Sequence, residues 1–270
     1  MFTRIGIALL TTGALGAAAN PAVADLSLDV SPVRVQVHMK AGEEYTNAVR
    51  VLNDGKEPVR LRAYVEDWYL DEIGTPIFRP AGTLDRSSSV WMDVAPADFL
   101  LEPGQTKFVR FTVQAPASMA DGGYQGSLLL ETLPLDRTER PGMQMFIQGR
   151  VAVMTYVTIG NPRRAAEIRS MATVRHDGKN FVRMQIANTG EDFVRLAGDL
   201  TVVEGKDAVG DGSPVPDVPV LPGATRWVEF EISPDRLFAN YLARVTVDID
   251  GVGRLVGECP LDPAKVQLLD

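Results

Sequence analysis

Part of this chain is written twice. Val49-Arg-Val-Leu-Asn53-Asp-Gly55-Lys-Glu-Pro-Val-Arg60-Leu61 returns as Met184-Gln-Ile-Ala-Asn188-Thr-Gly190-Glu-Asp-Phe-Val-Arg195-Leu196. Downstream, Leu101-Glu-Pro103-Gly104-Gln-Thr-Lys-Phe-Val-Arg-Phe-Thr-Val113 returns as Val220-Leu-Pro222-Gly223-Ala-Thr-Arg-Trp-Val-Glu-Phe-Glu-Ile232. Each copy reads as alternating apolar residues, an Asn-x-Gly turn, further alternation, a Pro-Gly turn and alternation again. A period of two is the pattern of half-buried strands, and the Gly and Pro positions break it into short pieces. Two such copies in the same order call for two like units. The expected fold is all-β, with two tandem Ig-like β-sandwich domains.

The rest of the chain fits that division. The 270 residues suit roughly two domains of ordinary size. Alternation also runs through Val33-x-Val35-x-Val37, and turn signals recur at Asp121-Gly-Gly123 and Asp177-Gly178. Residues 1–24 read as a secretory signal peptide: Arg4 supplies the basic start, Ile5 to Ala19 the uncharged apolar stretch, and Ala22-Val-Ala24 the small residues of a cleavage site. The domains are then expected over 25–159 and 165–270, with 160–164 as linker and 205–217 as a loop inside the second. An exported chain with no further segment of spanning length is expected to be soluble once the signal is removed, without membrane insertion.

The side chains that carry chemistry are scarce. There are two histidines, His38 and His176, and one cysteine, Cys259. That excludes an intrachain disulfide framework and a Cys-rich zinc site, and leaves most His-based catalysis without its parts. Both histidines lie near turns without sequence neighbours that would make them acids or bases, and Cys259 reads as a small buried apolar residue. No Gly-rich phosphate loop or metal-spaced motif occurs. The net charge is −8 with no basic cluster, which argues against nucleic acid as a partner. No catalytic residue, no metal and no cofactor are expected. Trp68, Trp91, Phe99 and Phe111 read mainly as sandwich interior, with Trp91 the least certain of them and a sugar platform the alternative.

The ordered motifs resemble those of the periplasmic pilus-assembly chaperones, the PapD-like family. In the first domain they are Leu28-x-Val30-Ser-Pro-Val-Arg34-Val, Asn53, Trp68, Val94-x-Pro96-x-x-Phe99-x-Leu101-x-Pro103-Gly104, Arg110, Tyr124-Gln-Gly-Ser-Leu128 and the strand from Met143 to Val153. In the second they are Asn188 to Leu200 and Leu221-Pro-Gly223. The resemblance implies two Ig-like domains set in an L. It implies a donor strand, the first domain's G strand, lent to pilus subunits that lack a final strand of their own. Met143, Met145 and Ile147 would face the subunit, with Val151 and Val153 continuing the strand. From alternation alone, the same strand could simply pack its own core. The resemblance also implies a subunit carboxylate anchor: Arg34 on the first strand, and a basic residue on the G strand. Ala152 stands at that second position, and Arg150, two residues earlier on the same face, is the candidate to replace it.

The expected function is that of a periplasmic, non-enzymatic chaperone. It would bind pilus or surface-fibre subunits, deliver them to an outer-membrane usher, and self-associate to shield its donor strand. The alternatives are a structural Ig-like envelope or adhesion protein without donation, and a carbohydrate-binding module.

Overall fold

The computed structural model describes residues 27–135, 148–210 and 212–269. The expected signal peptide and the positions of Met143, Met145 and Ile147 lie outside the described residues. Ten strands build the first half of the chain: β1 (Leu28–Ser31), β2 (Arg34–Met39), β3 (Glu44–Asn53), β4 (Val59–Leu70), β5 (Pro76–Pro80), β6 (Met92–Ala95), β7 (Asp98–Leu101), β8 (Thr106–Gln114), β9 (Gly122–Leu133) and β10 (Arg150–Ile159). They form two sheets, ordered β1-β3-β8-β6 and β2-β10-β9-β4-β5, with β7 also on β4. The inner faces meet around Val49, Val51, Leu61, Leu101, Val109, Phe111, Leu128, Leu130, Val153 and Val157, all buried.

Eleven more strands follow: β11 (Ala166–His176), β12 (Lys179–Asn188), β13 (Val194–Arg195), β14 (Ala197–Glu204), β15 (Asp207–Ala208), β16 (Ser213–Pro214), β17 (Pro219–Val220), β18 (Thr225–Ile232), β19 (Tyr241–Ile249), β20 (Gly253–Pro260) and β21 (Gln267–Leu268). Sheets β18-β12-β11-β21 and β15-β14-β19-β20 enclose a second core around Val182, Met184, Ile186, Leu200, Val228, Ala243 and Val245. The chain is a two-domain β-sandwich.

The repeated asparagines explain why both halves fold alike. Asn53 Nδ2 donates to Glu57 O (2.8 Å) and Leu101 O (3.1 Å), while its Oδ1 accepts from Gly55 N. Asn188 does the same with Asp192 O (2.7 Å), Val220 O (2.9 Å) and Gly190 N. Their backbone carbonyls accept from Gly104 N and Gly223 N, the glycines of the Pro-Gly turns. Each buried amide thus ties its own turn to the strand that enters the next one, with both ends satisfied.

Candidate functional site

The first strand of the chain does not stay in one sheet. β1 pairs with β3, the chain crosses at Pro32 and Val33, and β2 then pairs with β10 in parallel, starting at Arg34 opposite Met154. On its other side β10 is paired along its whole length with β9, from Arg150↔Glu131 to Ile159↔Gly122. Arg150 to Val153 therefore have a strand on one side only, among the described residues.

Alternation shows which groups face that open side. Thr132 N donates to Gly149 O, so the odd-numbered residues turn their backbone groups to β9. Met154 N donates to Val33 O, so the even-numbered ones turn to the β2 side. Arg150 and Ala152 thus direct N–H and C=O to an edge that no described strand fills. Val151 and Val153 point their side chains into the first core, where Val153 is fully buried.

Arg34 and Arg150 lie on the same outer face, four residues apart in register, roughly 13 Å along the strand. They are not brought together. Arg150 donates to Glu66 Oε2 at 2.7 Å, with its guanidinium 5.5 Å from the Phe78 ring and 5.9 Å from that of Tyr64. Arg34, half-exposed, sits 3.6 Å from Asp217 Oδ2 of the second domain.

Below the open edge the two domains pack together. Trp68 donates its indole N–H to Gly126 O (2.7 Å) and stands edge-on to Tyr156, which stands edge-on to Phe193 of the second domain. Leu221 completes this buried cluster. Beside it, Asp192, 1% exposed, accepts from Thr158 Oγ1 and forms an ion pair with Arg164, which also reaches Asp250. Gly123 lets the domains approach this closely: a Cβ there would stand 2.9 Å from Asp192 Oδ1 and 3.0 Å from the Phe193 ring. Its N–H donates to Glu191 O at 2.7 Å. On the far side Trp227 N donates to Glu72 O. A cavity of about 370 Å³ remains between the domains, with Gln36, His38, Tyr156, Thr158, Arg164 and Arg195 among its lining residues.

The cleft is cationic near Arg34. Burial raises the Tyr156 phenol pKa, against the opposing pull of Arg195 and Arg34. Asp217 is held below the usual carboxylate range by its hydrogen bond from Arg195, with Arg34 adding to it. His176 is tied to Asp177 and Glu229 and stacked on Phe181, away from the cleft. Cys259 is buried, which raises its thiol pKa. Among the described residues no group of three or more His, Cys, Asp or Glu is placed to hold a metal. Trp68, Phe99 and Phe111 are interior, and Trp91 packs half-buried on Tyr124 with ring centroids 4.9 Å apart.

Several of these residues escaped the sequence reading, although the repeat marks them. Phe193 stands where the first copy has Pro58, and Asp192 where it has Glu57. Arg195 matches Arg60, and Asp217 precedes Pro222 at the same spacing as Asp98 precedes Pro103.

Fold and geometry together define a two-domain, Ig-like β-sandwich protein with one half-covered strand beside an interdomain cleft. No protein-family model matches the chain, and no curated protein does. Solved structures that it matches include the CupB2 chaperone of Pseudomonas aeruginosa, at 16% identity over 86% of this chain and 99% of that one, with a TM-score of 0.46. Another is a chain of the CsuC–CsuE chaperone–tip adhesion subunit pre-assembly complex, from the archaic chaperone-usher Csu pili of Acinetobacter baumannii. It matches at 14% identity over 90% of this chain and 100% of that one, with a TM-score of 0.45. A third belongs to the Salmonella enterica SafA pilin–SafB chaperone complex, at 16% identity over 88% and 98%, with a TM-score of 0.46.

Proposed function

We propose that this protein is an exported chaperone of the pilus-assembly type. It holds surface-fibre subunits that lack a strand of their own and passes them to an outer-membrane usher. The observation that carries this reading is the side of β10 at Arg150–Val153 that no described strand covers. A subunit's strand added there would gain main-chain hydrogen bonds from Arg150 and Ala152, as in other strand-addition complexes. The segment immediately before it carries Met143, Met145 and Ile147, whose side chains would enter the subunit's groove. Each contributes roughly 1.5–3 kcal/mol when fully buried, and methionine adapts to varied partners.

The geometry also favours one direction. A guest strand running parallel to β10, in line with β2, would end where β2 begins. Its terminal carboxylate would then fall beside Arg34, a guanidinium suited to receive it. Arg150, occupied by Glu66, would steady the outer face rather than bind the terminus. A free apolar edge invites self-pairing, so capping by a second copy belongs to the same reading. No nucleotide or metal is needed, because the subunit's own folding supplies the driving energy.

Replacing Met145 and Ile147 together with Asp tests this reading. Subunit capture in a periplasmic pull-down should fall at least tenfold while the isolated protein stays folded. Unchanged capture would leave a structural Ig-like protein as the better description.

A further inference from the structure

The Arg–Asp pair that belongs to the repeat is built differently in the two domains. In the first, Arg60 grips Asp98 with both ends, Nε to Oδ1 and Nη2 to Oδ2, each at 2.9 Å. Both carboxylate oxygens face one guanidinium. In the second, Arg195 Nε donates to Asp217 Oδ1 at 2.7 Å, but Nη2 turns to the backbone oxygen of Asp217 at 3.0 Å. Oδ2 is left out of the pair and lies 3.6 Å from Arg34 Nη1, across the domain boundary. One carboxylate is thus shared by two guanidiniums from two domains, at the place where β2 starts and the open edge of β10 ends.

Its surroundings fit a carboxylate seat. Tyr156 lies within the field of Arg34, Arg195 and Arg226 together. Arg195 is mostly covered, whereas Asp217 is 65% exposed and Arg34 half-exposed in their side chains, so Arg195 is held by its surroundings while the Arg34–Asp217 contact stands in solvent. An exposed ion pair is weak and exchangeable.

We propose that Asp217 is an internal placeholder. In the free chain its Oδ2 occupies, at Arg34, the seat that a guest strand's terminal carboxylate takes. Arg195 is the second guanidinium of that seat, supplied by the second domain in place of a basic residue on β10. This rests on the chaperone reading for the identity of the guest, but the seat itself binds any small peptide-like carboxylate. Asp217 offsets part of the charge of the two arginines and keeps them aligned until a guest arrives. A carboxylate brought to Arg34, at the start of β2, displaces it.

The test uses the full mature chain, with N-acetylvaline as probe and N-acetylvalinamide as its uncharged control. Binding is followed by the side-chain Nε–H resonances of the arginines. The acid should shift both Arg34 and Arg195, and the amide neither. Asp217→Asn should tighten the acid by about two- to fivefold, the range an exposed ion pair allows. Arg195→Gln should weaken it by a similar factor, and Asp98→Asn, the first-domain counterpart, should leave it unchanged. The placeholder is overturned if Asp217→Asn leaves the acid's affinity unchanged or lowers it, or if Arg195 does not respond. That failure is distinguishable from failure of the chaperone reading, which the Met145 and Ile147 substitutions address without this site. An Arg34 response to the acid that is indifferent to Asp217→Asn would keep the anchor and remove the placeholder.

Discussion

β10, over Arg150–Val153, and β20 each have one side that no described strand covers, but they treat it in opposite ways. β20 pairs only with β19, and its edge is guarded. Arg254 pairs with Asp248, and Glu258 with Arg244, across the face. Gly257 faces Met171 on β11, and a larger residue there would have to push that side chain aside. Charges and glycines on an edge discourage another chain from pairing with it. Among the described residues β10 carries no charge from Val151 to Val153, and the adjacent Arg150 is paired with Glu66 on the outer sheet face. Protection at one margin and exposure at the other, in domains built from the same repeat, are what the proposed chaperone role requires of the first domain.

Proline substitutions should separate the two sides of β10 with the largest effect. Val153→Pro removes a ladder N–H that faces β9 and should strongly lower stability in chemical denaturation. Ala152→Pro removes an N–H that faces the open side and should cost far less, while abolishing subunit capture. Equal destabilisation by the two would mean that the edge is already paired.

The repeat itself can be challenged next. Asn53→Ala and Asn188→Ala should each destabilise by about 1–3 kcal/mol, since each leaves buried carbonyls without a donor. Similar losses in calorimetry would show that the two turns do equal work. A large inequality would show that the copies have diverged in role as well as sequence.

The smallest effect concerns the guard. Arg254→Val with Glu258→Val removes two exposed ion pairs and should leave stability nearly unchanged. It should nevertheless promote self-association, read by size-exclusion chromatography at rising concentration. An unchanged elution profile would separate the guarding of β20 from its charges.

What could be read in advance follows from the range of each interaction. Asn53 and Asn188, with their Gly and Pro-Gly partners, act mostly within a few residues or at fixed spacing, so the two-sandwich fold is legible in the repeat. The alternation at Val151 and Val153 shows strand and burial for the same reason. The open edge is not local. It depends on where the chain leaves β3 for β10, a choice settled by Val33 O meeting Met154 N, more than a hundred residues away. Arg34 was visible as a candidate from its strand, but its partner Asp217 and the occupation of Arg150 by Glu66 arise only when distant strands are brought side by side. Asp217 and Arg195 could have been found by extending the repeat to its acidic residues, which keep their spacing to the Pro-Gly turns. Nothing in either copy alone would have said that the second pair is loosened toward Arg34.

Amide hydrogen exchange along β10 in the isolated protein, repeated with a bound subunit, tests the open edge most directly. The N–H groups of Val151 and Val153 should be protected in both states. Those of Arg150 and Ala152 should exchange rapidly in the free chain at low concentration and become protected when a subunit binds. Protection of Arg150 and Ala152 in the free monomer would contradict the account, because the edge would then be filled before any guest arrives.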